Sequence, residues 1–143
     1  MGLRIYTGGT FDLFHLGHAE FLRRCSQLGE VVVSLNTDEF IEAYKGKPPV
    51  MSYTERLHVL AACRYVDRVI PNTGGADSKP AIKSVMPDLV VIGTDWLRKD
   101  YLKQMNFDVD WLEANGIGLA YIPYTAGVSS TEIKRRLRAT IDL

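Results

Sequence analysis

The 143-residue chain lacks most of what would mark a disulfide-built, membrane-spanning or polyanion-binding protein. Its two cysteines, Cys25 and Cys63, lie in helical patterns among apolar neighbours. They are expected as buried, reduced thiols of a cytoplasmic protein, not as a disulfide framework. No apolar run approaches membrane-spanning length, and a strand pattern begins almost at once, with no signal-peptide core ahead of it. Charge of one sign is also missing: 17 Lys and Arg balance 17 Asp and Glu. A broad nucleic-acid surface is therefore not expected, although the tail "EIKRRLRATIDL" gathers several cations. Internal repeats, low-complexity tracts and interdomain linkers are absent too, so the length suits one domain over 1–143.

What is present alternates. Short β-branched or apolar runs, "LRIYTG", "EVVVSLNT", "VDRVIP", "PDLVVIG" and "IGLAYIPY", read as strands. Between them fall helical patterns over His15 to Leu28, Ser52 to Arg64, Lys79 to Val85, Trp96 to Asn115 in one or two pieces, and Ser129 to Arg138. In the second, Tyr53, Leu57, Leu60, Ala61 and Arg64 share the spacing of one helical face. "YKGKPPV" and "NTGGADSKP" read as loops. Strands alternating with helices imply an α/β fold with a five-stranded, mainly parallel sheet covered on both faces. Ligands of such sheets bind where strands end and helices begin. Three polar-rich turns should share that rim: Gly8 to His15, "GTDW", and "PYTAGVSST".

The first of these turns, in "GGTFDLFHLGHAEFL", invites chemistry. Gly8 and Gly9 let the backbone turn and approach a ligand. Thr10 and Asp12 can cap a helix or touch a ligand. His15 and His18 project to one side of a helix, with Gly17 between them leaving room for a bulky group. Free N–H groups at the helix start suit an anion. Three readings stand at this point: a phosphate-binding histidine pair, a metal site using both histidines and Asp12, or a polar cap. The metal reading lacks HExxH and any nearby Cys or third His. P-loop and GxGxxG patterns are absent as well.

"TGGTFDLFHLGH" resembles the signature of the cytidylyltransferase-like nucleotidyltransferases, with His15-Leu16-Gly17-His18 as its HxGH element. "YTAGVSST", Tyr124 to Thr131, resembles that family's second motif. The similarity continues through "NTDEF", "SYTERLHVLAACRYVDRVIP" and "IGTDW", and is strongest to the branch acting on glycerol 3-phosphate. It implies a Rossmann-like three-layer sandwich and an enzyme that joins a nucleoside triphosphate to a small phosphorylated acceptor, releasing pyrophosphate. CTP and glycerol 3-phosphate come first. Adenylyl transfer to a sugar phosphate or FMN, and a non-catalytic nucleotide-binding module, are the alternatives. Magnesium is implied as companion of the triphosphate, with no protein-held metal. A homodimer without nucleic-acid or membrane partners is implied too.

The resemblance also implies roles. His15 and His18 would stabilise the α-phosphoryl group, and Lys45 and Lys47 would follow the phosphates from a mobile loop. Gly8, Gly9, Thr10, Phe11, Asp12, Gly17, Arg64, Gly93, Asp95, Ser129, Ser130 and Thr131 would bind the nucleotide. Arg56 and Trp96 would meet the acceptor, Arg56 having a structural ion pair as its other reading. Ser129 with Glu132, and Ser52 with Glu55, also fit capping boxes. Two positions depart from the family pattern. Tyr124 replaces an arginine, whose charge Lys134 or Arg135 could restore, and Thr94 replaces the first aspartate of a "GDDW" turn.

Overall fold

The computed structural model describes residues 2–94 and 108–141. Five strands, β1 (Leu3–Gly9), β2 (Gly29–Leu35), β3 (Arg68–Pro71), β4 (Leu89–Gly93) and β5 (Gly118–Ile122), form one sheet in the order β3-β2-β1-β4-β5. Every neighbouring pair is parallel. Six helices are described: α1 (Leu16–Ser26), α2 (Asp38–Lys45), α3 (Tyr53–Ala62), α4 (Lys79–Val85), α5 (Val109–Ala114) and α6 (Ser130–Ile141).

Strand periodicity divides the core. Ile5, Val31, Val33 and Val91 face one side, where Leu22 and Cys25 of α1 and Leu60 of α3 cover them. Tyr6, Val32, Val90 and Ile92 face the other, under Ala81, Ile82 and Val85 of α4 and Leu112 of α5. The consecutive valines of β2 are all buried, as a central parallel strand requires. The result is a three-layer α/β sandwich.

The sheet order sets the site. From β1 the chain winds outward through β2 and β3, then crosses back to β4 and β5. β1 and β4 pair only at Ile5–Leu89 and Tyr6–Val90, while β1 runs on to Gly9. Their carboxyl ends therefore lack mutual hydrogen bonds and border a crevice at the switch point.

Several elements differ from the expectation. α2 was not expected, yet Thr37 accepts a hydrogen bond from Phe40 N, Asp38 and Glu39 occupy the first turn, and Gly46 ends the helix in a left-handed conformation. It is short and buries only Ile41, so its periodicity is faint. α3 stops at Ala62 because Cys63 turns extended, which takes Arg64 off the helical face. Ala61 is exposed, whereas Leu60 is buried and Tyr53 and Leu57 pack at the core edge. Both cysteines are free, Cys25 buried and Cys63 half-buried. Of the expected helix Trp96 to Asn115, only α5 falls within the described residues.

Candidate active site

A cleft of about 430 Å³ opens at the carboxyl edge of the sheet. It is lined by Thr7 to Asp12, His15, Gly17 and His18 from the opening turn, and by Asn36 after β2. Phe40, Ile41, Tyr44 and Lys45 of α2 form one wall. Ile92, Gly93, Ile122 to Thr125, Ser129, Ser130 and Lys134 form the other.

The opening turn is built around its two histidines. His15 is the N-cap of α1, and its Nδ1 accepts a hydrogen bond from Gly17 N at 3.0 Å. His18 Nδ1 accepts one in return from His15 N at 3.2 Å. The pair thus forms a capping box made of imidazoles, and the rings stack with centroids 3.8 Å apart. Gly17 is required here: a Cβ would lie 2.9 Å from His15 Cε1. With each Nδ1 accepting, the ring proton of each neutral imidazole resides on Nε2. Burial, and then the neighbouring His15, push the His18 pKa down to about 3 against the pull of Asp12. Burial lowers His15 as well. Near neutral pH both rings are therefore uncharged N–H donors, and their cap bonds already occupy one nitrogen of each.

The backbone between strand and cap passes through two left-handed residues that carry side chains, Phe11 at φ 51° and Leu13 at φ 50°. Such conformations cost on the order of 1 kcal/mol each and persist where surroundings over-determine them. Here the Phe11 ring is buried, tilted against His18, and lies where a Cβ on Gly9 would collide at 2.8 Å. Asp12 Oδ2 accepts from Val50 N at 2.7 Å and Oδ1 from Met51 N at 2.9 Å. The Asp12 carboxylate thus ties down the segment before α3, while His15 performs the capping.

Arg56 requires a correction. It is fully buried and does not line the cleft, so it is not placed to hold an acceptor. Its Nη1 donates to Thr10 O and Asn36 O, both at 2.9 Å, its Nε to Met51 O, and its Nη2 to Asp38 Oδ1 at 2.7 Å. Of its two expected readings, the structural ion pair is the observed one. Asn36 continues this layer, donating to Thr10 Oγ1 and accepting from Asn72 Nδ2. Arg64 is also displaced from its expected role. α3 runs from the carboxyl to the amino edge of the sheet, so Arg64 ends at the rim opposite the cleft, exposed beside the Tyr65 ring.

Other expected residues divide. Gly8, Gly9, Thr10, Phe11, Asp12, Gly17, Gly93, Lys45, Ser129 and Ser130 line the cleft; Lys47 and Thr131 are exposed and do not. Asp95 and Trp96 lie outside the described residues. Ser129 Oγ accepts from Glu132 N at 3.0 Å, giving half a capping box. The other half is missing because Glu132 turns to Arg135 and Arg136. Ser52 and Glu55 form theirs fully. Ser130 Oγ donates to Asp12 O at 3.0 Å, bridging the two motif turns.

At the departure from the family pattern, Tyr124 donates its hydroxyl to Val128 O and its backbone N–H to Thr94 Oγ1. It closes its own loop without adding charge. Lys134, one turn beyond Ser130, lines the cleft, whereas Arg135 is exposed and paired with Glu132. Sequence reasoning missed Asn36, Phe21 and the α2 wall. The Thr37-Asp38-Glu39 start signal, with aromatics at 40 and 44, could have found the last.

Parallel strands, a switch-point crevice, neutral imidazole donors, a helix N-terminus and two lysines define a Rossmann-like α/β protein equipped for a phosphate chain. The model of the cytidylyltransferase-like family matches residues 6–136. The chain belongs to that family and is a nucleotidyltransferase. It is 40% identical to the glycerol-3-phosphate cytidylyltransferase of Bacillus subtilis (strain 168), over 94% of this chain and 96% of that one. It is 39% identical to the FAD synthase of Pyrococcus abyssi, over 65% of this chain and 64% of that one. Among solved structures, the lipopolysaccharide core biosynthesis protein of Thermoplasma volcanium superposes with TM-score 0.66 at 26% identity, covering 87% of this chain and 98% of that one. Among the described residues, no helix is long and apolar enough to cross a membrane.

Proposed function

We propose that the protein transfers a cytidylyl group from CTP to glycerol 3-phosphate, forming CDP-glycerol and pyrophosphate. The observation that carries this reading is the 40% identity to a glycerol-3-phosphate cytidylyltransferase over nearly the whole of both chains. A phosphate oxygen of the acceptor attacks the α-phosphorus, and the bond from that phosphorus to the oxygen bridging to the β-phosphate breaks. The nucleophile is already anionic, so the protein's task is positioning and charge stabilisation.

Each lining residue then has a role. The Nε2–H groups of His15 and His18 donate to the α-phosphoryl oxygens as charge builds there. The start of α6, with Ser129 and Ser130, receives the β- and γ-phosphates, and Lys134 supplies the cation that Tyr124 does not. Lys45 faces them from α2. Among the described residues, no three His, Cys, Asp or Glu side chains gather to hold a metal. Magnesium would enter as a companion of the triphosphate and neutralise its charge. We place the enzyme in the cytoplasm as a homodimer, a reading supported by its free cysteines and by the exposed Leu137 and Ile141 of α6.

The similarity to FAD synthases favours one rival, adenylyl transfer to FMN. A pyrophosphate-release assay crossing four nucleoside triphosphates with glycerol 3-phosphate, sugar phosphates and FMN separates the two. Turnover with CTP and glycerol 3-phosphate is expected. Turnover with ATP alone would remove the cytidylyl reading, and triphosphate binding without turnover would indicate a non-catalytic module.

A further inference from the structure

Behind the cleft, two asparagines meet amide to amide. Asn36 follows β2 and lines the cleft, whereas Asn72 follows β3, is buried and does not line it. Asn72 Nδ2 donates to Asn36 Oδ1 at 3.0 Å and to Gly75 O at 2.9 Å. Asn36 Nδ2 in turn donates to Thr10 Oγ1 at 3.2 Å. Both backbones are pinned. Asn36 N donates to Gly9 O, Arg56 Nη1 donates to Asn36 O, and Asn72 N donates to Leu35 O. Gly75 belongs to a turn closed by Asp77 N donating to Gly74 O at 3.0 Å.

The direction of these bonds is forced. A side-chain amide donates only from its nitrogen and accepts only on its oxygen. Turned over, the Asn72 amide would set its oxygen against Gly75 O. It keeps the observed orientation although Oδ1 is then buried with no partner among the described residues. With Asn72 as the donor, Asn36 accepts on Oδ1 and presents Nδ2 to Thr10. A threonine hydroxyl has one proton and two lone pairs, and Asn36 occupies one lone pair. The proton cannot point back at Asn36, and among the described residues it meets no acceptor. Thr10 lines the cleft, so its proton is left for a ligand there. A phosphate chain, which only accepts, suits such a donor.

We infer that Asn72 is a positioning residue: acting through Asn36, it keeps the Thr10 hydroxyl turned as a donor toward the phosphates of the bound triphosphate. Asn72 touches no substrate, and its influence on the cleft passes through that one proton. The phosphates are present throughout the reaction, so the relay governs triphosphate affinity and not the rate of transfer. This assignment rests on the nucleotidyl-transfer reading above.

Calorimetric binding of magnesium CTP and magnesium ATP, without acceptor, tests it in a double-mutant cycle with Thr10→Val, which keeps the shape and removes the hydroxyl. Asn72→Leu, close in shape to asparagine but without a donor, should weaken binding of the preferred triphosphate about fivefold or more. In the Thr10→Val background the same change should cost less than about twofold, whereas in the Ser130→Ala background the full loss should remain. In turnover with CTP and glycerol 3-phosphate, Asn72→Leu should raise the CTP KM by the same factor and leave kcat within about twofold. A loss of affinity below about threefold, or one equally large in the Thr10→Val background, would overturn the inference, because a merely structural asparagine acts whether or not that hydroxyl is present. If Asn72→Leu does not fold, Asn72→Ala takes its place, with the same outcomes. Triphosphate binding without turnover on any acceptor removes the transfer reading and leaves the binding cycle to decide the relay. Absence of triphosphate binding by the native protein overturns both.

Discussion

The turn after β1 and the turn after β5 face each other across the cleft, the first locked from behind and the second held mainly at its surface. Behind the first, Arg56 holds Thr10 O, Asn36 holds Thr10 Oγ1, Asp12 grips Val50 N and Met51 N, and Phe11 is buried. The second rests on Tyr124 contacts to Thr94 and Val128 and on Ser130 reaching Asp12 O. The helix it leads into, α6, buries no residue. The difference matches the two tasks. Stabilising charge that appears only in the transition state demands donors fixed in advance, whereas gripping a phosphate chain present throughout tolerates a surface-held partner.

The widest separation between the two turns is expected in kcat. His15→Ala or His18→Ala should lower kcat by about two to four orders of magnitude, the scale of a lost transition-state donor, as read in steady-state turnover. A loss below about tenfold would contradict the assigned role. Next comes the layer behind the first turn. Arg56→Met leaves three backbone carbonyls and Asp38 without their donor, and should cost about 3–5 kcal/mol in urea unfolding. A cost near that of an exposed substitution would show that the first turn is not locked by this side chain.

A pH effect follows from the imidazoles. The His18 pKa is about 3 in the folded protein against an ordinary 6.5, so the unfolded chain binds more protons between those values. This contribution to stability is complete above about pH 6.5 and is lost as pH falls toward 3, by on the order of a few kcal/mol. Urea midpoints between pH 7.5 and 5, above most carboxylate titration, should fall more steeply for the native protein than for His18→Gln. Equal slopes would mean that His18 is not kept neutral by the fold. The smallest effect belongs to the second turn. Lys134→Met should raise the triphosphate KM about tenfold, Arg135→Ala should leave it within about twofold, and adding Tyr124→Arg to Lys134→Met should restore part of the loss. Without that contrast, the second turn would need another cation.

Much of this was legible in residue order. The consecutive apolar residues of "EVVVSL" and "DLVVIG" showed central parallel strands because burial on both faces leaves an uninterrupted apolar run. The histidine spacing and the Ser129 cap were readable because helix starts are local. α2 escaped notice because it is short and buries one residue. Arg56, whose structural ion pair was one of two readings, and Arg64, expected at the phosphates, are the instructive pair. Both are arginines of one helical stretch, yet one fills the space behind Thr10 and the other reaches the opposite rim.

By itself the sequence determined the five strands, their parallel pairing and the identity of the two motif turns, since periodicity, capping and spacing act over a few residues. Only the tertiary structure decided that Arg56 works behind the site, that Lys134 and not Arg135 faces it, and that an aromatic wall closes its far side. Those outcomes depend on which edge of the sheet each crossover reaches, and on which helical face then meets the cleft.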